Sequence, residues 1–438
     1  MLIAEHSQKL PWPLLRKILF RFFFIYLMFY ISPWLWLSHI PGVDFVLNYY
    51  YQLFDWAVIK ANANFFRVFG IKNVQPVFNG SGDTSYNWAM ICLFISLSFI
   101  GTIIWTIAEW RKKSYRQLNY LLCLLTRYYL VTTAIGYGFL KMLGMQMLVP
   151  LNSQLATPLG DFLPMRLSWM FLGYSTPYQL FSGVMEVLVG VLLLYRRTVT
   201  MGVLVATAVF INVLMLNLAY DIPVKIHSMN LVLMCFYLVA NEYERIACFF
   251  ILHKPAPSCV IYQYPLTKKW MRVARIILKL AFVFILFKDC YGSWTRYLDY
   301  KKQTYKQPFT GGVYDVTKYV INTDTIPPLI NDTVRWQNVI IDLNGTGSIQ
   351  TSDTAFRRRY GRAYFGYTAD TIAYSINFKK FPDDSTSILS MKYQLPDSNT
   401  IILKGKKQND SLFVELKKIN RHFQLAENQF HWLSEANR

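Results

Sequence analysis

Long apolar runs separated by short polar connections fill roughly the first 290 residues, and short alternating runs replace them afterwards. Runs approaching the roughly 20 residues that cross a bilayer fall at about Ile18–Leu37, Trp88–Trp110, Leu118–Leu140, Tyr178–Tyr195, Met201–Leu218, Ile226–Ala240 and Val273–Phe287. The pattern predicts about seven spans; the last two are short and the third is amphipathic. The first carries Arg21, is long and aromatic, and is followed by no small-residue cleavage site. It reads as a retained span, not a cleavable signal. From Trp294 onward the period changes to two. In "SLFVELKKI", Leu412, Val414 and Leu416 alternate with Phe413, Glu415 and Lys417, the pattern of a half-buried strand. "RAYFGY", "TIAYSINF", "SILSMKYQL" and "TIILKG" repeat it, with "PDSN" and "KKQND" as hairpin turns.

The predicted fold class is therefore a polytopic α-helical membrane bundle followed by a small antiparallel β domain of about seven strands, as a sheet, sandwich or small barrel. The divisions fall at 1–117 (two spans with an external loop), 118–250 (a four-helix core), 251–295 (a cytoplasmic connection and the seventh span) and 296–438 (the β-rich domain). Residues 299–330, with "PFTGG" and "TIPPL", read as a linker or irregular entry.

Composition supports the membrane reading. Only 16% of the 438 residues are charged and 54% are hydrophobic, against about 25% charged in soluble chains. The net charge of +20 does not point to nucleic acid, because the basic residues stand beside the apolar runs. Lys9, Arg16 and Lys17 precede the first span; Arg111–Lys113, Arg196–Arg197 and Lys268, Lys269 and Arg272 mark alternate connections. This positive-inside pattern places the N-terminus in the cytoplasm and the β domain outside, which is the periplasm if the membrane is a Gram-negative inner membrane. Membrane lipids are the expected surroundings, and a periplasmic or redox protein is an expected partner. The six cysteines contain no CxxC pair and the six histidines no paired ligand spacing, so neither dithiol redox chemistry nor a metal site is expected. "FRRRYGR" (356–362) reads as a solvated strand face, or as a seat for an anionic partner or lipid headgroups.

Candidate chemistry comes from polar residues inside the spans, where a charge costs roughly 2.5–3.5 kcal/mol even on lenient scales. Arg127 and Lys141 bracket the third span, with Ala134 and Gly138 between them on one side. Glu186 shares a face with Gly183 and Gly190, which admit a close neighbour. Such a carboxylate is either paired with a cation such as Arg127, fixing helix register, or protonated and available for proton handling or ligand orientation. Asn212 and Asn217 interrupt the fifth span. The stretch "NLAYDIPVKIHSMN" then gathers Asp221, Lys225, His227 and Asn230 beside lipid, at an outward-facing corner. A satisfied turn explains part of it, and the mouth of a pocket for a polar-headed, lipid-soluble molecule explains the surplus. Proton handling is expected of Glu186, His227 and Asp221. Ligand contacts are expected of Arg127, Lys141, Asn212, Asn217, Lys225 and Asn230.

"RYYLVTTAIGYGFLKMLGMQ" (127–146), "FLGYSTPYQLFSGVMEVLVGVLLLYRRTVTMG" (171–202) and "NVLMLNLAYDIPVKIHSMNLVLMCFYLV" (212–239) resemble the DoxX family of integral membrane proteins. The resemblance is to the long Bacteroidetes-type variant whose β-rich tail ends in "FHW" and "NR". It covers about residues 118–250, and the tail more loosely. It implies a four-helix core and quinone-linked redox, since some members resemble a subunit of a thiosulfate:quinone oxidoreductase. The two preceding spans, the seventh span and the external domain depart from the simple family. A fainter, architectural likeness is to the membrane domain of vitamin K-dependent γ-carboxylase. Three functions follow as expectations: a quinone-linked membrane oxidoreductase component, a non-enzymatic lipid-binding or carrier protein, and an anchored assembly protein recruiting a periplasmic partner through its β domain.

Overall fold

The computed structural model describes residues 11–77, 80–255, 268–304, 307–329, 335–382, 384–407, 409–427, 431–433 and 435. Lys9, Cys259, Gln408, Phe430, Asn437 and Arg438 of the motifs above lie outside them. The chain forms two compact units, one of Met1–Phe139 with Phe181–Cys290, the other of Leu140–Leu180 with Tyr291–Arg438.

The first unit is helical. Helices α1 (Leu14–Ile31), α2 (Asp44–Ala61), α3 (Ser85–Ala108) and α4 (Arg116–Met142) are followed by the single-turn α5 (Asn152–Leu155) and by α6 (Pro164–Tyr174), both in the second unit. Then come α7 (Thr176–Leu194), α8 (Val199–Ala219), α9 (Lys225–Asn241), α10 (Tyr243–Phe250) and α11 (Lys269–Thr304), with α12 (Gln424–Glu427) near the C-terminus. Five helical segments among the described residues are long and apolar enough to cross a membrane: Leu14–His39, α3, α4, α7 and α8. The sixth expected span, α9, is 17 residues, about 25 Å. The seventh, α11, is longer than expected at 36 residues and carries many charges. Helix α2 was not legible as a span or a helix; its exposed Phe45, Tyr49, Leu53 and Trp56 recur at helical spacing inside what reads as a loop.

Close packing follows the small residues. A Cβ on Gly138 of α4 would stand 2.7 Å from the Gly183 carbonyl oxygen and 2.9 Å from Val187 of α7, and one on Gly190 would stand 2.4 Å from Ile135. The two backbones touch where sequence placed small residues on both helices. Arg21, buried at 1% exposure, ties α1 to the end of α3 by donating to Thr106 Oγ1 (2.8 Å), the Glu109 carbonyl (3.1 Å) and Tyr115 Oη (2.6 Å). It is a structural clamp.

The second unit contains a closed antiparallel barrel. Its strands are β1 (Gly312–Ile321), β2 (Asp324–Thr325), β3 (Asn338–Ile341), β4 (Thr346–Ile349), β5 (Arg357–Arg359), β6 (Arg362–Asp370), β7 (Ser375–Lys379), β8 (Leu389–Asp397), β9 (Thr400–Lys407) and β10 (Asp410–Ile419). Eight of them form a ring, because β1 pairs with both β3 and β10; β2 and β5 are side flaps on β1 and β6. A bulge between Val316 and Lys318 lets Val316 and Tyr319 both face the core. The interior is filled by residues such as Phe309, Phe365, Tyr367, Phe378 and Leu403, leaving about 10 Å³, scarcely a water's worth. Within 299–330, expected as a linker or irregular entry, α11 continues to Thr304 and the strands β1 and β2 are formed, with irregular chain at 307–311 and 326–329.

The segment between α4 and α7 is sewn to this barrel. The Ser153 N–H donates to Asp342 Oδ1 (3.1 Å), and Tyr364 donates to the Ser153 carbonyl (3.4 Å). Burial pushes the Asp342 carboxyl up to about 6, against the opposing hydrogen bonds from Ser153 and Thr346. A carboxyl raised in the folded state favours folding fully below its unfolded value near 4, and loses that contribution as pH rises through 6. We expect Asp342 to cost this unit about 3 kcal/mol between pH 4 and 7. Asp342→Asn should flatten that part of the profile, as read by melting the full-length protein in detergent across this range; an unchanged slope would refute it.

Candidate functional site

The corner carrying Asp221, Lys225 and His227 is built by the end of α8 and the start of α9. Asp221 takes a left-handed backbone (φ 50), which Asp tolerates better than most residues. The Ile222 N–H then closes on the Asn217 carbonyl (3.0 Å), a helix-ending motif that satisfies an orphan carbonyl. Pro223 stops the helix and its carbonyl accepts from Gly82 N–H (2.8 Å). Helix α9 restarts with its first N–H groups on a carboxylate from elsewhere in the chain: Lys225 N and Ile226 N donate to Asp83 at 2.7 and 2.9 Å. The Lys225 ammonium bridges Asp83 (3.8 Å) and Asp221 (2.6 Å). Asp221 is 80% exposed at its side chain and Asp83 only 8%. Much of the polar surplus in this corner thus closes two helix ends.

One turn deeper the character changes. The hydroxyl of Tyr30 lies 3.3 Å from His227 Nδ1, and the rings of Tyr30 and Tyr129 meet edge to face at 6.1 Å. The rings of Tyr129 and Tyr137 stand 6.5 and 6.0 Å from the imidazole. Beside them Tyr26 donates to Asn230 Oδ1 (2.8 Å), and Asn230 Nδ2 donates to the Ile226 carbonyl (2.9 Å). His227 Nε2 is buried and has no hydrogen-bond partner among the described residues. Glu186, buried on α7, is within electrostatic reach of Tyr137.

The expected residues separate into three groups. His227 and Asn230 face these tyrosines, Glu186 is buried within electrostatic reach of the partly exposed Tyr137, and Asp221 and Lys225 form the charged corner above. Arg127 stays apart: its guanidinium lies 5.3 Å from the Tyr128 ring, and no hydrogen bond or ion pair joins it to Glu186 among the described residues. The reason is axial. Gly138 sits beside Gly183 and Val187, so Glu186 is level with Gly138, about three helical turns from Arg127. Asn217 is buried and serves the α8 terminus, Asn212 is exposed on the bundle surface, and Lys141 is buried at the close of α4 in the second unit.

Sequence reasoning missed Asp83, Tyr26, Tyr30, Tyr129 and Tyr137. The tyrosines carried a usable signal, being at i, i+4 in the first span and i, i+8 in the third. Asp83 carried none, since its partner is fixed by which helices are neighbours. An apolar crevice of about 400 Å³ opens between α1 and α3, lined by Ile18, Phe22, Phe99 and Ile103. Its Thr102 and Thr106 hydroxyls are spent on backbone carbonyls, so it offers room for a hydrocarbon chain but no polar recognition.

Among the described residues no cluster of three or more His, Cys, Asp or Glu is arranged to hold a metal ion. No family model matches the chain, and no solved structure matches it. The chain is similar to the uncharacterized protein YwoB of Bacillus subtilis (strain 168), 38% identical over 73 residues, which is 17% of this chain and 47% of the relative. The match spans about half of that relative's length.

Proposed function

We propose that this is a DoxX-like, seven-span membrane protein that binds a lipophilic molecule of the quinone class at His227, as a component of a membrane oxidoreductase. The course of α9 supports seven spans. Its first residues are tied to Asp83, just before α3. Its last residue is tied to Asn119 at the start of α4 (2.6 Å), and Glu242 beyond it to Thr200 at the start of α8 (3.1 Å). Helix α3 runs between those two ends, so α9 traverses the same thickness. The segment that binds Asp342 follows α4, and it shares a unit with the barrel. An even number of crossings must then separate α6 from β1, which α7, α8, α9 and α11 supply. With the basic residues inside, the barrel stands in the periplasm of an inner membrane.

The observation that carries the binding reading is the buried, unpartnered Nε2 of His227, whose other ring nitrogen meets the Tyr30 hydroxyl. That donor set suits the carbonyl or hydroxyl oxygen of a ring ligand. When bound, a quinone would supply the electron storage that the chain's own side chains lack. The protein's part is the proton. With Tyr30 donating to Nδ1, the neutral imidazole carries its hydrogen on Nε2, facing the pocket; with Nδ1–H donating to Tyr30, Nε2 accepts. His227 thus presents either a donor or an acceptor at Nε2, according to the tautomer that its contact with Tyr30 sets. Asn230, locked by Tyr26 and the Ile226 carbonyl, keeps α9 facing this way.

Extraction of the protein in mild detergent should release quinone near one per chain by mass spectrometry, with an oxidised-minus-reduced absorbance signal. His227→Ala should lower retention at least about ten-fold, equivalent to roughly one good hydrogen bond to a buried group, and Tyr30→Phe less. A phospholipid in place of quinone, with a silent difference spectrum, would overturn this and leave lipid handling by the bundle. Among the described residues, the space at the centre of the barrel is only about 10 Å³.

A further inference from the structure

The arginine run of the barrel is only partly used by the barrel. Arg362 is buried and donates to Ser348 Oγ (2.8 Å) and Asn338 Oδ1 (2.6 Å). Arg358 turns back on the Thr351 carbonyl. Arg359, in contrast, lies over the ring of Tyr360 at 4.5 Å, and Arg166 of α6 approaches the same ring at 5.9 Å while its Nε donates to the Tyr360 hydroxyl (3.3 Å). Arg357 is held nearby over Phe381 at 4.9 Å. Burial, together with the like charges of Arg166 and Arg357, holds the Arg359 guanidinium below its ordinary range. Among the described residues no carboxylate forms an ion pair with any of these three; Asp161 lies against Gly361 instead. Three guanidinium groups are gathered here, and the one carboxylate named beside them, Asp161, forms an ion pair with none of them.

The helix that brings Arg166 is amphipathic. Ser168, Leu172 and Gly173 are buried, and a Cβ on Gly173 would meet the Leu148 carbonyl at 2.4 Å. Leu163, Leu167 and Phe171 recur every four residues on an exposed stripe, Phe171 at 73%. Arg166 flanks that stripe by helical geometry. Only Ser175 separates α6 from α7, one of the helices long and apolar enough to cross a membrane. A helix with an apolar stripe, a basic flank and a span at its end is built to lie in an interface.

We propose that α6 lies in the membrane interface on the barrel's side, its Leu163–Leu167–Phe171 stripe at the acyl boundary, and that Arg166 and Arg359 hold the phosphate of an anionic phospholipid. Charge complementarity selects the headgroup, and two guanidinium groups on one tyrosine present several N–H donors to its oxygens. This rests on the membrane reading of α7 and not on the His227 pocket.

The test is native mass spectrometry of the full-length protein released from nanodiscs of mixed phosphatidylglycerol and phosphatidylcholine. The wild type should retain phosphatidylglycerol preferentially. R166Q and R359Q should each weaken retention about 5-fold and the double variant about 30-fold, whereas R358Q should retain as the wild type does. Equal retention of both lipids, or unchanged retention in the double variant, would overturn the proposal, as would displacement by excess inorganic phosphate, which would identify a free-anion site. Should the double variant misfold, the Arg166→Lys/Arg359→Lys protein decides: it keeps the charges and should still prefer phosphatidylglycerol, and loss of preference in a folded sample would refute the lipid seat.

Discussion

Replacing Gly138 by alanine is expected to destabilise the helical unit by about 1–3 kcal/mol, and by valine more. The added Cβ meets the Gly183 carbonyl oxygen at 2.7 Å and Val187 N at 2.9 Å. Both are backbone atoms of α7, so no side chain can swing aside, and the helices must part. Association between helices in a membrane depends on such close packing more than on exclusion of water. Glu186 is level with this contact and Tyr137 precedes it, so parting the helices should also lower retention of the quinone proposed to sit at His227. Gly136 supplies the control. A Cβ there meets nothing, and Gly136→Ala should be neutral or stabilising by up to about 1 kcal/mol through helix propensity. Thermal unfolding in detergent would compare the two; equal melting temperatures would remove the argument for a glycine-mediated contact.

The second large effect is expected at Asp83. Its carboxylate takes the first two N–H groups of α9 and the Lys225 ammonium while nearly buried. Asp83→Ala removes a cap worth up to about 2 kcal/mol and strands buried donors, for a total loss of about 3 kcal/mol. Asp83→Asn keeps one acceptor oxygen and should cost about half of that. Lys225→Met leaves the cap intact and should cost less than about 1 kcal/mol, because Asp221, the closer partner of that ammonium, is exposed. The order Asp83→Ala, then Asp83→Asn, then Lys225→Met is the checkable content. A Lys225→Met variant as damaged as Asp83→Ala would mean that the ion pair, not the cap, holds α9.

The parts of this protein legible in its sequence are those set by local period. Strand β10 alternates as "SLFVELKKI" does, with Leu412, Val414 and Leu416 buried, because a pleated strand exposes every second side chain. The five apolar segments stand where hydropathy places them. Closure of the barrel was one of three architectures left open by the pattern, since alternation reports a face and not the partner of an edge strand. The site divides the same way. His227 and Asn230 stood out as polar residues in an apolar helix, but their partners Tyr30 and Tyr26 lie 197 and 204 residues earlier, and no local rule couples such distances. Arg127 misled for the opposite reason. Its charge drew attention, while the axial offset that separates it from Glu186 depends on where α4 and α7 cross.

The hydrogen bond from Ser153 to Asp342 spans 189 residues, and β1 completes the ring only through β10, with Val313 opposite Ile419. Both therefore wait on nearly the whole chain. During synthesis the segment after α4 emerges long before Asp342 exists, and helices α7 to α11 are made between them. Its amphipathic α6 has no barrel to lie beside throughout that interval, and the bilayer surface is the one apolar phase at hand. Maturation should accordingly end in a single late event, the capture of that waiting segment by the newly closed barrel, and truncations that stop short of Ile419 should leave both pieces open to protease together.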